Sequence, residues 1–332
     1  MKAWQFEGEG KPISLNEIPE PRPGPGEVLI DVKAAGLCHS DLMYMEIGAG
    51  TMPYLPMTQG HENAGAISAL GEGVSGWAIG DVVGVCSSGV RPPLGMFTPG
   101  GFADKLVADI PDLARVPAGL DLSLAALATD AGMTSYHAMI MAGGASTGMK
   151  VGVIGYGGLG QIGTRAAVLK GAAVHLAEPK REVWELALAA GVAGCVADAD
   201  EWAGQNFDLV VDYAGFDTTQ KAINAIRRGG TVVQVGLGKP TFTILSHTIL
   251  GRTLTDHWAA RSPTSRRSST SCSKRRSNPR TPRSASTRSA PAWSSSRTTR
   301  SPDASSLGSE AEPRRTLRVG RCGTVSPTSL AP

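Results

Sequence analysis

The sequence has few aromatic residues, few cysteines and no long apolar run. Aromatic side chains make up 5% of the 332 residues, whereas glycine occurs 42 times, which indicates a chain rich in tight turns. No apolar segment approaches the roughly 20 residues that a spanning helix needs, so such a helix is excluded. The segment Met1–Gln5 lacks the pattern of a secretory signal. The five cysteines are scattered and form no Cys-x-x-Cys pair, so we expect no disulfide framework and a cytoplasmic location.

The charge and composition of the chain change abruptly towards its carboxyl end. Residues 1–251 contain 25 acidic and 16 basic side chains, a net charge of −9, whereas residues 252–332 contain 4 acidic and 16 basic ones, a net charge of +12. Between Leu254 and Leu307 there is no Val, Ile, Leu, Met, Phe or Tyr. Such a segment cannot bury enough apolar surface to offset its chain entropy, so residues 255–332 are predicted to form a mostly disordered basic tail.

Residues 1–254, which precede the tail, divide into two parts that together indicate an α/β protein. In residues 1–125, short apolar strands such as 27–33, 64–70 and 81–85 alternate with turns rich in Gly and Pro, which favours a small β-barrel. In residues 126–254, all-apolar strands alternate with helices, which is typical of a doubly wound parallel sheet buried on both faces.

The second part has a regular order of predicted elements. Helical spacing begins before it, over residues 122–141, with a break near Gly132. The predicted strands are 150–154, 173–177, 208–212 and 231–235, and the predicted helices are 158–170, 181–190 and 218–228.

A glycine-rich motif closes the first parallel strand and opens a helix. Its residues Gly155, Gly157, Gly158, Leu159 and Gly160 lie in the pattern Gly-x-Gly-x-x-Gly. The first glycine permits a tight turn, the second lets the backbone approach a pyrophosphate, and the third lets helix and strand pack closely. The amino terminus of the helix directs N–H groups and the positive end of its dipole at the phosphates. The context therefore predicts a dinucleotide site rather than a merely tight turn.

The choice of dinucleotide is predicted at the end of the second parallel strand. Glu178 lies 18 residues after Gly160, where a carboxylate can accept a ribose hydrogen bond and repel a 2′-phosphate, which favours NAD. Lys180 and Arg181 follow and could accommodate NADP, which is the less favoured cofactor. A solvated turn without a cofactor role is a further alternative. Val235, at the end of a later strand, is another cofactor-binding candidate.

Potential metal ligands are concentrated in the first part of the chain. The segment Cys38-His39-Ser40-Asp41 is followed by Gly60-His61-Glu62. Thiolate, imidazole and carboxylate groups are zinc ligands, and three of them with one open position form a catalytic site. Scattered Cys and His residues more often belong to a core than to a metal site, so the hypothesis depends on the dinucleotide motif in the same chain.

Taken together, these motifs resemble the zinc-dependent medium-chain alcohol dehydrogenases. The matching stretches are, in order, Gly36–Asp41, Gly60–Glu62, Gly71–Asp81, Thr129–His137 and Gly155–Gly160. The resemblance extends over about three-quarters of the chain, to about residue 254. It implies a GroES-like barrel as the catalytic domain, a Rossmann-type domain after it, and hydride transfer between NAD(P) and an alcohol, aldehyde or ketone.

The resemblance also implies roles for the residues of a zinc site. Cys38, His61 and Asp130 would be the zinc ligands, with Asp130 at a position where the family usually has a cysteine. Glu62 would be the acid that can approach the metal during ligand exchange. Asp41 would orient the imidazole of His61.

Two further roles and two departures concern the reaction and the metal count. Ser40 would take the alcohol proton, and Thr134 would lie beside the nicotinamide. Met43 stands where some members carry a relay histidine, so proton release would need water or a ribose hydroxyl. Only Cys86 stands where the family has a four-cysteine lobe, which predicts one catalytic zinc and no structural zinc.

The sequence leaves rival functions open. A zinc-free quinone or enone reductase of the same superfamily would not need the three implied zinc ligands. An inactive dehydrogenase fold with a polyanion-binding tail is a second rival, and its binding would rest on phosphate neutralisation. Neither a membrane nor nucleic acid is expected as a partner of the enzyme itself. The family suggests a homodimer or a homotetramer.

The change after Leu254 has two explanations. In the family, the chain completes a sixth strand and the dimer contact here, and then returns to finish the catalytic domain with apolar elements. A tail rich in Ser, Arg, Pro and Thr is what a shifted reading frame of a GC-rich gene would give. A genuine basic tail that binds nucleic acid or acidic partners is the alternative. With a shifted frame, we expect a five-stranded sheet with an exposed edge.

Overall fold

A computed structural model describes residues 1–46, 52–86, 93–239 and 241–257. The strands are β1 (Lys2–Phe6), β2 (Ser14–Glu17), β3 (Glu27–Gly36), β4 (Met57–Thr58), β5 (Glu62–Leu70), β6 (Val82–Val85), β7 (Lys105–Asp109), β8 (Leu113–Arg115), β9 (Lys150–Ile154), β10 (Ala173–Ala177), β11 (Gly194–Val196), β12 (Phe207–Asp212), β13 (Ile226–Gln234) and β14 (Thr253–Asp256). The α-helices are α1 (His39–Glu46), α2 (Leu122–Leu127), α3 (Met133–Tyr136), α4 (Gly158–Leu169), α5 (Trp184–Ala189) and α6 (Thr219–Ala225). Two π-helical segments, Ala128–Gly132 and His137–Ala142, flank α3, and 3₁₀ turns cover Ile110–Asp112, Arg181–Val183 and Ala199–Trp202.

The first part of the chain, for which the short strands predict a small β-barrel, consists of two antiparallel sheets. One sheet has the order β2-β1-β4, and the other has the order β7-β3-β5-β6-β8. The second sheet buries an aliphatic cluster that includes Val28, Ile30, Ile67 and Leu106. Alternating residues of β3, β6 and β7 contribute to it because successive side chains of a strand point to opposite faces.

The pairing of β3 with β5 determines where the potential metal ligands meet. The two strands run antiparallel from Val28 opposite Leu70 to Gly36 opposite Glu62. The end of β3 therefore lies beside the start of β5, and the segment that follows Gly36 lies close to the segment that precedes Glu62. A Cβ on Gly36 would overlap the Glu62 side chain, so this close approach requires glycine.

The second part is a parallel sheet of six strands. Its order is β11-β10-β9-β12-β13-β14, and all of its pairs run parallel. The order reverses between β9 and β12, so a crevice opens at the carboxyl ends of these two strands, where doubly wound folds bind their ligands. Separate aliphatic clusters cover the two faces, which confirms the prediction of strands buried on both sides.

Two predicted helices differ in detail from the structure. The helix predicted over residues 218–228 ends at Ala225, because Ile226 already pairs with Phe207 at the start of β13. The predicted break near Gly132 does not occur. The chain stays helical from Leu122 to Ala142 and alternates between α and π turns instead.

The expectation of a five-stranded sheet is wrong. Strand β14 pairs with β13 from Thr231 opposite Thr253 to Gln234 opposite Asp256. An edge strand needs one buried face and backbone hydrogen bonds, and Leu254, which packs against the core, supplies the first. The predicted boundary of the tail at residue 255 therefore falls inside a strand. The rest of the predicted tail, residues 258–332, lies outside the described residues.

Candidate metal and dinucleotide site

Four side chains that can bind a metal meet at the end of the antiparallel sheet. They are Cys38, His61, Glu62 and Asp130, and their donor atoms all lie within 4.8 Å of one another. Cys38 lies between β3 and α1, His61 and Glu62 lie at the start of β5, and Asp130 comes from the first π-helical segment. Within the ranges given above, no other His, Cys, Asp or Glu side chains form such a group.

The carboxylate of Asp41 holds two of these ligands in place. Its Oδ1 lies 3.1 Å from Nδ1 of His61, and its Oδ2 accepts a hydrogen bond of 2.9 Å from the backbone N–H of Cys38. With Nδ1 engaged, Nε2 of His61 faces Asp130 Oδ2 at 3.5 Å. The Sγ of Cys38 lies 4.0 Å from the same Asp130 oxygen. The position implied for Asp41 beside His61 is thus the one it occupies.

The charges of the group favour a bound cation. Burial lowers the pKa of His61, but hydrogen bonds to Asp130 and Asp41 raise it by more, to about 12. Burial raises the pKa of Asp130, but its hydrogen bonds to His61 and Thr134 and the charge of His61 together lower it by more. Burial and the repulsion of Asp130 raise the pKa of Glu62 to about 7. The protein alone therefore holds an imidazolium among acidic groups, and a metal ion would take the place of that proton.

The donor set fits a zinc ion. A thiolate, an imidazole and a carboxylate are the ligand types of catalytic zinc sites. Glu62 adds a second carboxylate, and its Oε2 is buried without a hydrogen-bond partner among the described residues. His61 is 6% exposed and Asp130 31% exposed on their side chains, so the group is closed on the His61 side and open on the Asp130 side.

Ser40 and Thr134 both lie next to this group. The hydroxyl of Thr134 donates a hydrogen bond of 3.2 Å to Oδ1 of Asp130, one helical turn earlier. The backbone N–H of Ser40 donates to Sγ of Cys38 at 3.5 Å, and the Ser40 side chain is half-buried near the start of α1. Asp130 lies in a π-helical segment, and such segments occur frequently at functional sites.

Five apolar residues of the first part, Tyr44, Met45, Met52, Tyr54 and Phe97, divide into two sets by burial. Met52 is buried in a cluster with Phe6 and Met57, and Tyr44 and Met45 pack against that cluster. Tyr54 and Phe97 are exposed. The ring of Phe97 lies edge-on to that of Tyr44, with 6.4 Å between the ring centroids. Met52 is therefore a core residue, whereas Tyr54 and Phe97 are available to a ligand.

The glycine-rich loop has the geometry that its sequence predicts. Gly155 follows β9 with φ of 88°, a conformation that favours glycine. A Cβ on Gly160 would overlap the carbonyl oxygen of Gly155, so the third glycine permits the close packing of loop and helix. A Cβ on Gly157 or Gly158 would meet no heavy atom within 4 Å. The space in front of these two glycines, at the start of α4, is open to a phosphate group.

Glu178 lies beside the loop, where the sequence predicts it. Its Oε2 accepts a hydrogen bond of 2.8 Å from the backbone N–H of Tyr156, and its Oε1 accepts one of 3.0 Å from that of Lys180. The side chain thus joins the phosphate loop to the turn after β10 and keeps spare lone pairs for a ribose hydroxyl. Val235 follows β13 at the same edge of the sheet, but its side chain packs in the core and is 8% exposed.

The structure adds two residues that the sequence reasoning did not select. His257 follows β14, and its charge contributes to the lowered pKa of Asp130. The tail-like composition around it hid its place at the carboxyl edge of the sheet. Asp212 is fully buried at the end of β12 and accepts hydrogen bonds from the backbone N–H groups of Ala214 and Gly215, both at 3.0 Å. In the sequence, the place of Asp212 at the end of a predicted parallel strand, shortly before Gly215, is the feature that indicates this residue.

None of the described helices has the length and apolarity of a membrane span.

Two families of known domains match this sequence. Residues 24–118 match the alcohol dehydrogenase GroES-like domain, and residues 158–266 match the zinc-binding dehydrogenase domain. An alcohol dehydrogenase of Geobacillus stearothermophilus is 32% identical over 263 residues, which cover 71% of this chain and 78% of that protein. The NADP-dependent alcohol dehydrogenase C of Mycobacterium bovis is 31% identical over 260 residues, covering 68% and 74%.

Solved structures of similar fold include a reductase and an alcohol dehydrogenase. The acetophenone reductase of Geotrichum candidum in complex with NAD has a TM-score of 0.70 at 28% identity, covering 77% of this chain and 81% of that one. The cobalt- and zinc-bound thermostable alcohol dehydrogenase of Pyrobaculum aerophilum has a TM-score of 0.69 at 27% identity, covering 77% and 83%.

The open space at Gly157 leads to a prediction about cofactor binding. Gly157→Ala is expected to keep the unfolding midpoint in urea unchanged and to weaken NADH binding, measured by fluorescence titration, by roughly tenfold or more, because the new methyl group occupies the phosphate space. Gly160→Ala is expected to lower the midpoint, since the loop backbone must move to admit the methyl group, which lowers the free energy of unfolding by about 1–3 kcal/mol. Equal NADH affinity of Gly157→Ala and the unmodified chain would contradict the assignment of this space to a phosphate.

Proposed function

The chain belongs to the zinc-binding alcohol dehydrogenase family, and from this premise we propose that it transfers hydride between a small primary or secondary alcohol and NAD with one catalytic zinc ion. The observation that carries the proposal is the convergence of Cys38, His61 and Asp130 in one group whose donor atoms lie within 4.8 Å of one another. In this proposal the barrel of residues 1–125 is the catalytic part, and the segment from residue 126 through β14 holds the dinucleotide. The aldehyde or ketone is the product.

Each residue of the group has a proposed task. Cys38, His61 and Asp130 would hold the zinc ion, and Glu62 would be the spare carboxylate that can approach it. When bound, zinc supplies Lewis acidity towards the substrate oxygen, and the nicotinamide supplies the hydride acceptor. Asp41 keeps Nδ1 of His61 occupied at 3.1 Å, so that Nε2 is directed to the site.

The remaining residues handle the proton and the cofactor. The Ser40 hydroxyl is proposed to receive the alcohol proton, and because Met43 cannot relay it, the proton passes to water or to a ribose hydroxyl. Thr134 is proposed to lie against the nicotinamide while its hydroxyl holds Asp130. The pyrophosphate would lie on Gly157, Gly158 and the first turn of α4. Leu159 lies in the same loop and is proposed to contact the cofactor there. Val235 is proposed to contact the cofactor through its backbone at the edge of the sheet.

The rival zinc-free reductase finds less support. A fold that needs no metal has no reason to keep a thiol, an imidazole and two carboxyl groups within 4.8 Å, because the carboxyl groups of Glu62 and Asp130 repel each other and are costly to bury. The free thiols of Cys38 and Cys195 agree with the proposed reducing cytoplasm. The assembly is proposed to be a homodimer or homotetramer, as in the family.

The metal content tests the zinc assignment. Elemental analysis of the purified chain is expected to give one zinc per chain, and Cys38→Ser combined with His61→Ala is expected to lose it, because two of three ligands are gone. Cys86→Ser is the matched control and should retain the full amount, since we assign Cys86 to no metal. Two zinc ions per chain, or zinc retained by the double variant, would refute the assignment. A fully active chain without metal would support the zinc-free reductase.

The cofactor ratio tests the role of Glu178. We expect a higher kcat/KM with NAD than with NADP, because the Glu178 carboxylate repels a 2′-phosphate. Glu178→Ala should weaken the binding of both cofactors, since the hydrogen bond to Tyr156 is lost. It should also reduce the ratio of kcat/KM with NAD to kcat/KM with NADP by roughly tenfold or more. Glu182→Ala, an exposed neighbour in the next turn, should leave the ratio unchanged. A preference of the unmodified chain for NADP would show that Lys180 and Arg181 outweigh Glu178.

The tail bears on how well this chain performs the reaction. We propose that the chain is a poor enzyme, because nothing between Thr255 and Ser306 supplies the aliphatic side chains that cover the barrel in the family. Large apolar residues beside the sixth strand stay exposed, and Leu237, Leu245 and Leu250 are more than half exposed. Among the described residues no strand pairs with the outer side of β14, and an edge of this kind invites aggregation.

A chain with a restored reading frame tests this proposal. Restoring the frame beyond β14 is expected to raise specific activity and to move the protein from aggregated fractions to a defined oligomer in size-exclusion chromatography, because apolar surface is then covered. If the chain as written is soluble, dimeric and as active as the restored one, the shifted-frame hypothesis is wrong. Retention on heparin that falls with salt, without turnover, would favour the polyanion-binding alternative.

A further inference from the structure

A buried tyrosine joins the parallel sheet to the helix that carries Asp130. Tyr213 directly follows β12 and is 9% exposed. Its hydroxyl donates a hydrogen bond of 3.1 Å to the backbone carbonyl oxygen of Ser135 in α3. Burial raises the pKa of Tyr213, so the hydroxyl keeps its proton and remains a donor. The contact spans 78 residues of sequence.

Ser135 extends this connection to the phosphate loop. The Ser135 hydroxyl donates a hydrogen bond of 2.9 Å to the carbonyl oxygen of Leu159, inside the glycine-rich motif. Ser135 is fully buried, and its neighbour Thr134 bonds to Asp130. One short chain of hydrogen bonds therefore links the end of β12, the helix with a proposed zinc ligand, and the loop proposed to bind the pyrophosphate.

The seat of the tyrosine is shaped by the helix of the phosphate loop. A Cβ on Gly163 would overlap the hydroxyl oxygen of Tyr213, so α4 leaves room for this group only because residue 163 is glycine. Gly155 is also near, since a Cβ there would lie 3.3 Å from the Cβ of Ala214, the residue after Tyr213. The tyrosine hydroxyl is thus held between α3 and α4 by complementary shape as well as by a hydrogen bond.

We propose that Tyr213 is a positioning residue that sets the spacing between the helix of Asp130 and the dinucleotide loop. The inference rests on the proposed function, because hydride transfer needs the nicotinamide and the metal-held substrate at contact distance. An error of about 1 Å in such a distance can cost about a hundredfold in rate. The hydroxyl of Tyr213 holds the helix of Asp130 in place relative to the sheet, and the Ser135 hydroxyl holds the same helix in place relative to the loop.

The test compares two tyrosine hydroxyls that differ in their surroundings. Tyr213→Phe removes the buried hydroxyl, and Tyr136→Phe removes that of the exposed neighbour of Ser135 in the same helix. The full chain is loaded with Co²⁺, and the visible absorption of the metal and the dissociation constant of NADH are measured. Tyr213→Phe is expected to shift the cobalt bands and to weaken NADH binding by roughly three- to tenfold, the value of about one hydrogen bond. Tyr136→Phe should change neither.

Variants of Ser135 provide a second measurement that does not depend on Tyr213. Ser135→Ala removes the bond to Leu159 and should weaken NADH binding in the same direction, whereas Ser135→Thr keeps a hydroxyl and should restore it in part. If Tyr213→Phe fails to fold, equal NADH affinities of these two variants would overturn the inference. Identical cobalt spectra and NADH affinities of Tyr213→Phe and Tyr136→Phe would overturn it as well. An unmodified chain that binds neither Co²⁺ nor NADH would instead refute the proposed function.

Discussion

The concentration of like charge around His61 is the constraint on which the rest of the site depends. A thiol and two carboxyl groups lie within 4.8 Å of one another and of the imidazole, and a third carboxylate, that of Asp41, holds the ring from behind. Buried carboxylates repel one another, so a proton or a metal ion that balances their charge stabilises this arrangement. In the protein without a metal ion, the hydrogen bonds of the ring to Asp130 and Asp41 keep the pKa of His61 high, so the imidazole carries the balancing proton.

The scaffold meets this constraint with three separate elements. The antiparallel pairing of β3 and β5 brings the Cys38 segment beside His61 and Glu62, and the glycine at position 36 makes room for the Glu62 side chain. Asp130 arrives from a helix whose turns widen to π geometry at that point. Because each ligand is held by a different element, the geometry of the group depends on the packing of the whole domain rather than on one loop.

The dinucleotide crevice and the charged group are connected through the same helix. The reversal of strand order between β9 and β12 creates the crevice, and Tyr213 and Ser135 tie its floor to the helix that carries Asp130 and Thr134. A reaction between a cofactor and a metal-held substrate requires two sites at a fixed distance. Buried hydrogen bonds suit this task, since breaking one leaves an unsatisfied polar group and is costly.

Local patterns in the sequence determined the types of element and the chemistry, whereas the tertiary structure decided which residues meet. The glycine motif, the parallel strands and the kinds of ligand are visible in the sequence because each depends on residues within one element. The sixth strand was hidden, since the composition changes in the middle of Thr253–Asp256, and this strand has one partly buried side chain against the core, that of Leu254, and pairs mainly through its backbone. Likewise, Asp130 lies 92 residues from Cys38, and Tyr213 lies 78 residues from Ser135. No local spacing encodes such contacts, because they depend on how sheets and helices pack.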